Sequence, residues 1–252
     1  TEIYTLSLHD ALPIFAVFQS GSRGAMISLL LGLFFIATIS WQHMDKSFFK
    51  KVLIILTAAF VTANFQMSGY VVDRVGELSS VIDTGNVRWI LWKSAWRMII
   101  MAPIIGQGIG AFYIFAPSIQ QADGAGLATV VHNDYLQFWL ETGFIGLSLM
   151  LLIMVAIIRI NINVINNKKL DIKDRLEITG LMAGLFSVAI HSSVDFPFYI
   201  VAILMILGFM CARILEICGY YYPKLFHLSI LVNKLSRNKF LIIAIIIPAL
   251  LL

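Results

Sequence analysis

The sequence predicts an all-α, polytopic integral membrane protein, and three observations predict it. First, 60% of the residues are hydrophobic and only 13% are charged, with a mean hydropathy of +0.89. A soluble domain carries about 25% charged residues, so lipid has to cover much of this surface. Second, the apolar residues come in runs that approach the roughly 20 residues needed to cross a bilayer. Third, the lysines and arginines sit in short clusters between those runs, which is a topology signal. The net charge of +4 therefore does not imply a basic groove, and nucleic acid is not an expected partner. Cys211 and Cys218 lie seven apart in an apolar stretch. They lack metal-ligand spacing and read as small packing residues.

Residues 1–14, TEIYTLSLHDALPI, read as a translated sequencing adapter fused in frame at a contig end. They have neither the basic start nor the long apolar centre of a signal peptide, and are set aside. The expectation is that the natural chain begins upstream of Phe15, and that it continues past the apolar run Phe240–Leu252. Spans are predicted at 24–41, 51–67, 135–158, 177–193 and 197–215, with a truncated one at 239–252 and an interfacial segment at 225–232. The domain reading is a membrane domain over 15–215, followed by the interfacial segment and cut span of 216–252.

Orientation follows from the basic loops. Lys46, Lys50 and Lys51 fall in one, Lys168, Lys169, Lys173 and Arg175 in a second, and Arg213, Lys224, Lys234, Arg237 and Lys239 in a third. Even numbers of spans separate these regions, so all three can be cytoplasmic together. The outer side then receives the start near Ser20, the long loop 68–134 and the turn at Ser193–Asp195. The long loop is rich in aromatics and is expected to fold. Asp83-Thr84-Gly85-Asn86 is a turn with a helix-capping candidate, a helix is predicted over Val87–Met101, and Pro103 with Gly106-Gln107-Gly108-Ile109-Gly110 ends it in a tight turn. That glycine run is no dinucleotide fingerprint, because its spacing is wrong and no βαβ unit surrounds it.

Unusual polar residues then fall on the outer side, although the topology was set by other residues. Arg23 opens the first span as either a snorkelling interfacial arginine or an anion-binding cation. On the helical wheel of the loop helix, Lys93, Ser94 and Arg97 share a face. Arg88 lies opposite them with Leu91, Trp92, Ala95 and Ile99. An arginine on a packed face needs a partner: Asp73, Glu77 or Asp83, or a phosphate held bidentately. Asp134, Gln137 and Glu141 form a polar stripe at the mouth of the third span, following His132 and Asn133. It is either a capped interfacial helix start or a surface for a hydroxylated substrate. His191 and Asp195 are four apart; they form a pair, or Asp195 caps the helix ahead of Pro197.

Ser22-Arg23-Gly24 opening a span, Arg88 with Trp92 before Pro103 and Gly106-x-Gly108-x-Gly110, then His132-Asn133-x-Tyr135-Leu136-Gln137 and Glu141-x-Gly143, together resemble the O-antigen ligase and O-antigen polymerase superfamily. The resemblance runs in order from about Phe15 to Arg213, and His191–Pro197 resembles a stretch found in several branches. It implies a GT-C-like helical bundle in the bacterial inner membrane, active on the periplasmic side. The implied reaction moves a glycan from a polyprenyl-diphosphate donor to an acceptor hydroxyl on a lipid A–core sugar, another glycan or a protein. It implies no metal or other cofactor, with Arg23 and Arg88 binding the diphosphate and His132 catalytic. Asn133, Gln137, Glu141, His191 and Asp195 would be accessory. The reading from a different class is a membrane transporter, since relatives of this superfamily have been proposed as bicarbonate carriers. A transporter should place its polar groups at the midplane, on broken helices; here they cluster at the outer ends.

Overall fold

The computed structural model describes residues 8–40, 46–66, 69–70, 72–73, 87–123, 129–167 and 169–222. Among these, all regular structure is helical. The elements are α1 (Leu8–Gln19), α2 (Arg23–Ser40), α3 (Lys46–Gln66), α4 (Val87–Met101), α5 (Ala111–Asp123), α6 (Asp134–Ile165), α7 (Ile172–His191), a 3₁₀ turn (Pro197–Tyr199) and α8 (Val201–Tyr221). The turn at Asp83–Asn86, Glu77, the segment 225–232 and the run 239–252 lie outside the described residues. Helix α1 begins inside the stretch set aside as adapter, and Ile14 and Phe15 pack on the cluster of Phe18, Met26, Ala59 and Ala63 that joins α1, α2 and α3.

Helices α6 and α8 are long and apolar enough to cross a membrane, and almost none of the apolar window of either is buried within the protein. Such bare apolar helices are compatible with lipid, where a helix satisfies its backbone groups internally. Helix α2 packs antiparallel along α7. Small residues bring them together: a side chain at Gly32 would overlap Ser187, and one at Gly24 would press on His191 and Val194. Such small-residue seams let backbones approach where no hydrophobic force drives helices together. The beginnings of α2, α6 and α8 and the end of α7 thus gather at one end of the bundle. At the other end, Val164, Ile165, Ile178, Met182, Ile214, Ile217 and Cys218 form a core. There Arg213 holds Glu177 through two hydrogen bonds of 2.6 and 3.0 Å, and the Tyr221 hydroxyl donates to Asp174 at 2.7 Å.

Several boundaries differ from the sequence reading. Helix α6 runs on past residue 158 to Ile165, and α7 starts at Ile172, so the connection taken as 159–177 is largely helical. Helix α8 continues past 215 to Tyr221, because Ile217 and Cys218 have a core to enter. Helix α5 was not anticipated, since Pro117 falls inside it. Ser94 does not share the solvated face of Lys93 and Arg97: it is fully buried, and its hydroxyl donates back to the Ile90 carbonyl at 3.0 Å.

The apolar run of α6 also hides a break. Gly143 stands at φ 71°, ψ −176°, a region open essentially to glycine alone. Its neighbours lose their helical bonds, and residues 103–108 replace them. Phe144 N–H donates to Pro103 O (2.9 Å) and Ile145 N–H to Ile104 O (3.2 Å), while Leu140 O and Glu141 O accept from Gln107 N–H (2.8 Å) and Gly108 N–H (3.0 Å). Gly106, Gly108 and Gly110 all have positive φ. At Gly106 a Cβ would strike the Glu141 carbonyl, so only glycine admits this contact.

Candidate active site

The end of the bundle where α2, α6 and α8 begin and α7 ends is assembled from segments far apart in the chain. The N-cap of α6 is Asn133, whose Oδ1 accepts from Leu136 N–H at 3.0 Å while its Nδ2 donates to Ser193 O at 2.8 Å. Asp134 N–H donates to Ser192 O at 2.8 Å, and Tyr135 hydroxyl to Ala189 O at 2.8 Å. These bonds lock the start of α6 to the end of α7 and fix His132 just ahead of it.

His132 has a φ of 54°, alone among the described non-glycine residues in being positive. Such a conformation costs about 1–3 kcal/mol and persists only where the surroundings over-determine it. They do so here from both sides. Val131 is fully buried and its N–H donates to Gln137 Oε1 at 3.0 Å. The Trp92 indole donates to the His132 carbonyl at 3.4 Å. Because Trp92 sits one turn beyond Arg88 on α4, this contact also ties the loop helix to His132.

The imidazole is oriented by Asp195. His132 Nδ1 lies 3.2 Å from Asp195 Oδ1. A carboxylate only accepts, so Nδ1 carries the proton and Nε2 is left bare as an acceptor. His191 Nε2 approaches the second oxygen of the same carboxylate at 3.6 Å. The pairing of His191 with Asp195 is thus realised, and the 3₁₀ turn has no side-chain cap from Asp195. Asp195 is nevertheless nearer to His132, and it is Asp195 that orients this imidazole. Its chain neighbours Asn133 and Asp134 are engaged elsewhere. The His132 hydrogen bond holds the Asp195 carboxyl below the usual carboxylate range, against the opposing effect of burial, with His191 and Arg88 adding to the lowering. The carboxylate therefore stays ionised at neutral pH. Its contribution to stability is complete above the ordinary carboxylate pKa and is lost only as pH falls through its depressed value.

A cavity of about 330 Å³ opens beside this pair, lined by Ser20, Gly21, Ser22, Arg23, Gly24, Tyr70, Arg88 and Asp195. It unites both arginines singled out in the sequence with the carboxylate that holds His132. Gly24 makes this possible, since the approach of α2 to His191 puts Arg23 at the level of Asp195. Arg88 is half-buried on the face opposite Lys93 and Arg97, as the helical wheel requires. One carboxylate that its charge reaches is Asp195, which was not among the partners nominated from spacing.

The stripe Asp134, Gln137 and Glu141 shares a face but is not open to a substrate. All three are buried. Asp134 Oδ2 accepts from Phe198 N–H at 2.9 Å; Gln137 Nε2 donates to Glu141 Oε1 at 3.2 Å; the Tyr199 hydroxyl donates to Glu141 Oε2 at 2.8 Å. The stripe braces the 3₁₀ turn and the Val131 backbone behind His132. Tyr199, a hydrogen-bond donor to this frame, was missed in the sequence, where nothing distinguishes it from other membrane aromatics; Trp92 was placed beside Arg88 there, but its bond to the His132 carbonyl was not foreseen.

A sequence profile of the family described as O-antigen ligase matches residues 10–151. The match takes in Arg23, Arg88, His132 and the stripe, together with residues 10–14 that the sequence reading set aside; His191 and Asp195 lie beyond it. An uncharacterized protein of Haemophilus influenzae is 24% identical over 168 residues, covering 61% of this chain and 42% of that protein. The chain thus spans less than half the length of that relative. No solved structure matches the chain.

Proposed function

We propose, from the premise that this chain belongs to the O-antigen ligase family, that it carries the transfer site of a multi-pass bacterial inner-membrane enzyme. The enzyme moves a glycan from a polyprenyl-diphosphate donor to an acceptor hydroxyl on the periplasmic side. Residues 15–215 are its membrane domain. The observation that carries the reading is the single cavity holding Arg23 and Arg88 beside the Asp195–His132 pair.

Each group has a task in that chemistry. The diphosphate sits between the two guanidinium groups, which bind phosphate oxygens in a bidentate fork. Nε2 of His132 takes the proton of the acceptor hydroxyl. The acceptor oxygen bonds to the anomeric carbon as the bond from that carbon to the diphosphate oxygen breaks, and polyprenyl diphosphate leaves. Attack from the side opposite the leaving group inverts the anomeric centre. The arginines stabilise the negative charge that grows on the leaving group, and no metal is required. The convergence of ionisable groups at one end of the helices, away from the middle of the spans, supports an enzyme over a transporter. The acceptor is a lipid A–core sugar, a further glycan repeat or a protein hydroxyl, all of which use the same donor machinery.

Binding of polyprenyl diphosphate, the released product, tests the assignment of the cavity. Arg23→Ala in the full-length protein should weaken it at least about tenfold, the scale of one charge-assisted contact. Unchanged affinity would remove the diphosphate from this cavity. The sidedness has its own test. Single cysteines at Ser118 and Asn167, probed from outside intact cells with an impermeant thiol reagent, should label at 118 and be protected at 167. The opposite pattern would invert the protein in the membrane.

A further inference from the structure

We propose that α4, the turn after it and α5 form a re-entrant wedge whose tip, around residues 101–114, is sunk in the acyl chains of the outer leaflet. This changes the character of the long loop, which reads from the sequence as a folded piece standing in water. It rests on the membrane setting of the family and is independent of the transfer chemistry.

Three observations converge on it. The first is backbone accounting. Irregular chain is tolerated at membrane depth only where its polar groups are satisfied by protein. The turn answers that demand where it meets α6, by exchanging hydrogen bonds with the broken ladder: the loop donates to the two stranded carbonyls and accepts from the two stranded N–H groups. Within the turn, Gly106 N–H donates to Ala102 O, Ala111 N–H to Gly108 O, the Gln107 side chain to Met98 O and the Trp139 indole to Pro103 O.

The second is side-chain chemistry. From Met98 to Ala122 the sequence has no Asp, Glu, Lys, Arg or His. Yet the large side chains here are turned outward, with Met101 73% and Ile105 74% exposed and Ile104, Ile109, Tyr113 and Ile114 above half. A patch of this kind on a protein surface marks a partner. The third observation names it. The patch runs without a break into Phe144 and Ile145, exposed on α6 and bonded to Pro103 and Ile104. From there it continues to Leu149 and Leu152 on the bare face of the spanning helix. What covers that face covers the wedge.

The wedge dips and returns. With 15 and 13 residues, α4 and α5 are about 20 Å long at 1.5 Å per residue, short of the roughly 30 Å hydrocarbon core. Arg88 and Lys93, in the first half of α4, stay at the water side, and Arg97, one turn short of Met101, extends its long side chain toward that side.

The test uses the full-length protein in vesicles, with Cys211 and Cys218 changed to alanine and an environment-sensitive fluorophore on single cysteines. Ile105→Cys and Ile109→Cys report the tip; Lys93→Cys and Ser118→Cys report the two sides of the hairpin that face water. The tip labels should be blue-shifted, quenched several-fold more by lipids with nitroxides on their acyl chains than by aqueous iodide, and the side labels the reverse. Iodide quenching at the tip equal to that at Ser118 overturns the proposal. So does protection of the tip from both quenchers, the sign of a protein-covered face. Lipid contact is read without turnover, so the outcome is separable from failure of the glycan-transfer reading.

Discussion

His132→Ala in the full-length protein is expected to slow glycan transfer by about 10²–10⁴-fold, the usual contribution of a general base, or roughly 3–5 kcal/mol of barrier. Binding of polyprenyl diphosphate should persist, because the arginines that hold it belong to α2 and α4. Asp195 makes the prediction sharper. Its carboxylate keeps the proton on Nδ1, so Asp195→Asn, whose carboxamide can donate to Nδ1, should move the proton to Nε2 and disable the base as well. Since Asp195 is held ionised well below neutral pH, any acid limb in the rate profile of the unaltered enzyme belongs to another group. The rival is His191, at 3.6 Å from the same carboxylate. Purified His132→Ala and His191→Ala variants, assayed for transfer with product binding measured separately, decide between them. Normal turnover in the first with loss in the second would shift the catalytic assignment to α7.

Arg88→Lys should abolish most transfer while leaving the protein folded. The charge is retained, but a lysine ammonium cannot reproduce the fork that grips two phosphate oxygens. The upper scale of the effect is the 10²–10³-fold in kcat, about 2.7–4 kcal/mol, seen when one preorganised stabiliser of transition-state charge is removed. Lys93→Ala and Arg97→Ala, on the exposed face of the same helix, should be far milder. Near-normal transfer by Arg88→Lys, or a larger loss from Lys93→Ala, would show that position on the helix face does not matter, and the diphosphate assignment of Arg88 would fall.

What the sequence disclosed, and what it withheld, divide along a physical line. Features set by short-range periodicity were legible. The helix Val87–Met101 is found at the predicted bounds, the glycine run is a tight turn, and His191 and Asp195 do meet at a spacing of four. The ordered motifs pointed to the family matched over residues 10–151. Features set by contacts between distant segments were not legible. Asp195 is 63 residues from His132, and no periodicity links them, so their pairing had no signal in the sequence. The polar stripe of α6 stays undecided between a capped helix start and a substrate surface in the sequence, because its partners, Phe198 and Tyr199, are about sixty residues away. The break at Gly143 was invisible for a related reason. An apolar run with one glycine reads as a continuous span until another segment is found completing its ladder.

That completed ladder constrains how the protein can be built. Translation delivers residues 103–108 before residues 140–145, so the turn emerges with no partner for its backbone. An unmet amide in hydrocarbon costs several kcal/mol, so on the proposed wedge the nascent turn would stay at the water boundary until α6 has been threaded. Only then can the turn settle into the notch at Gly143, and the notch in turn has no stable form without it. The long outer loop and the third predicted span are therefore one unit of assembly, written in two places in the chain. A break in the polypeptide between them leaves two pieces that need each other, and a lengthened linker between α5 and α6 delays the step that closes the site.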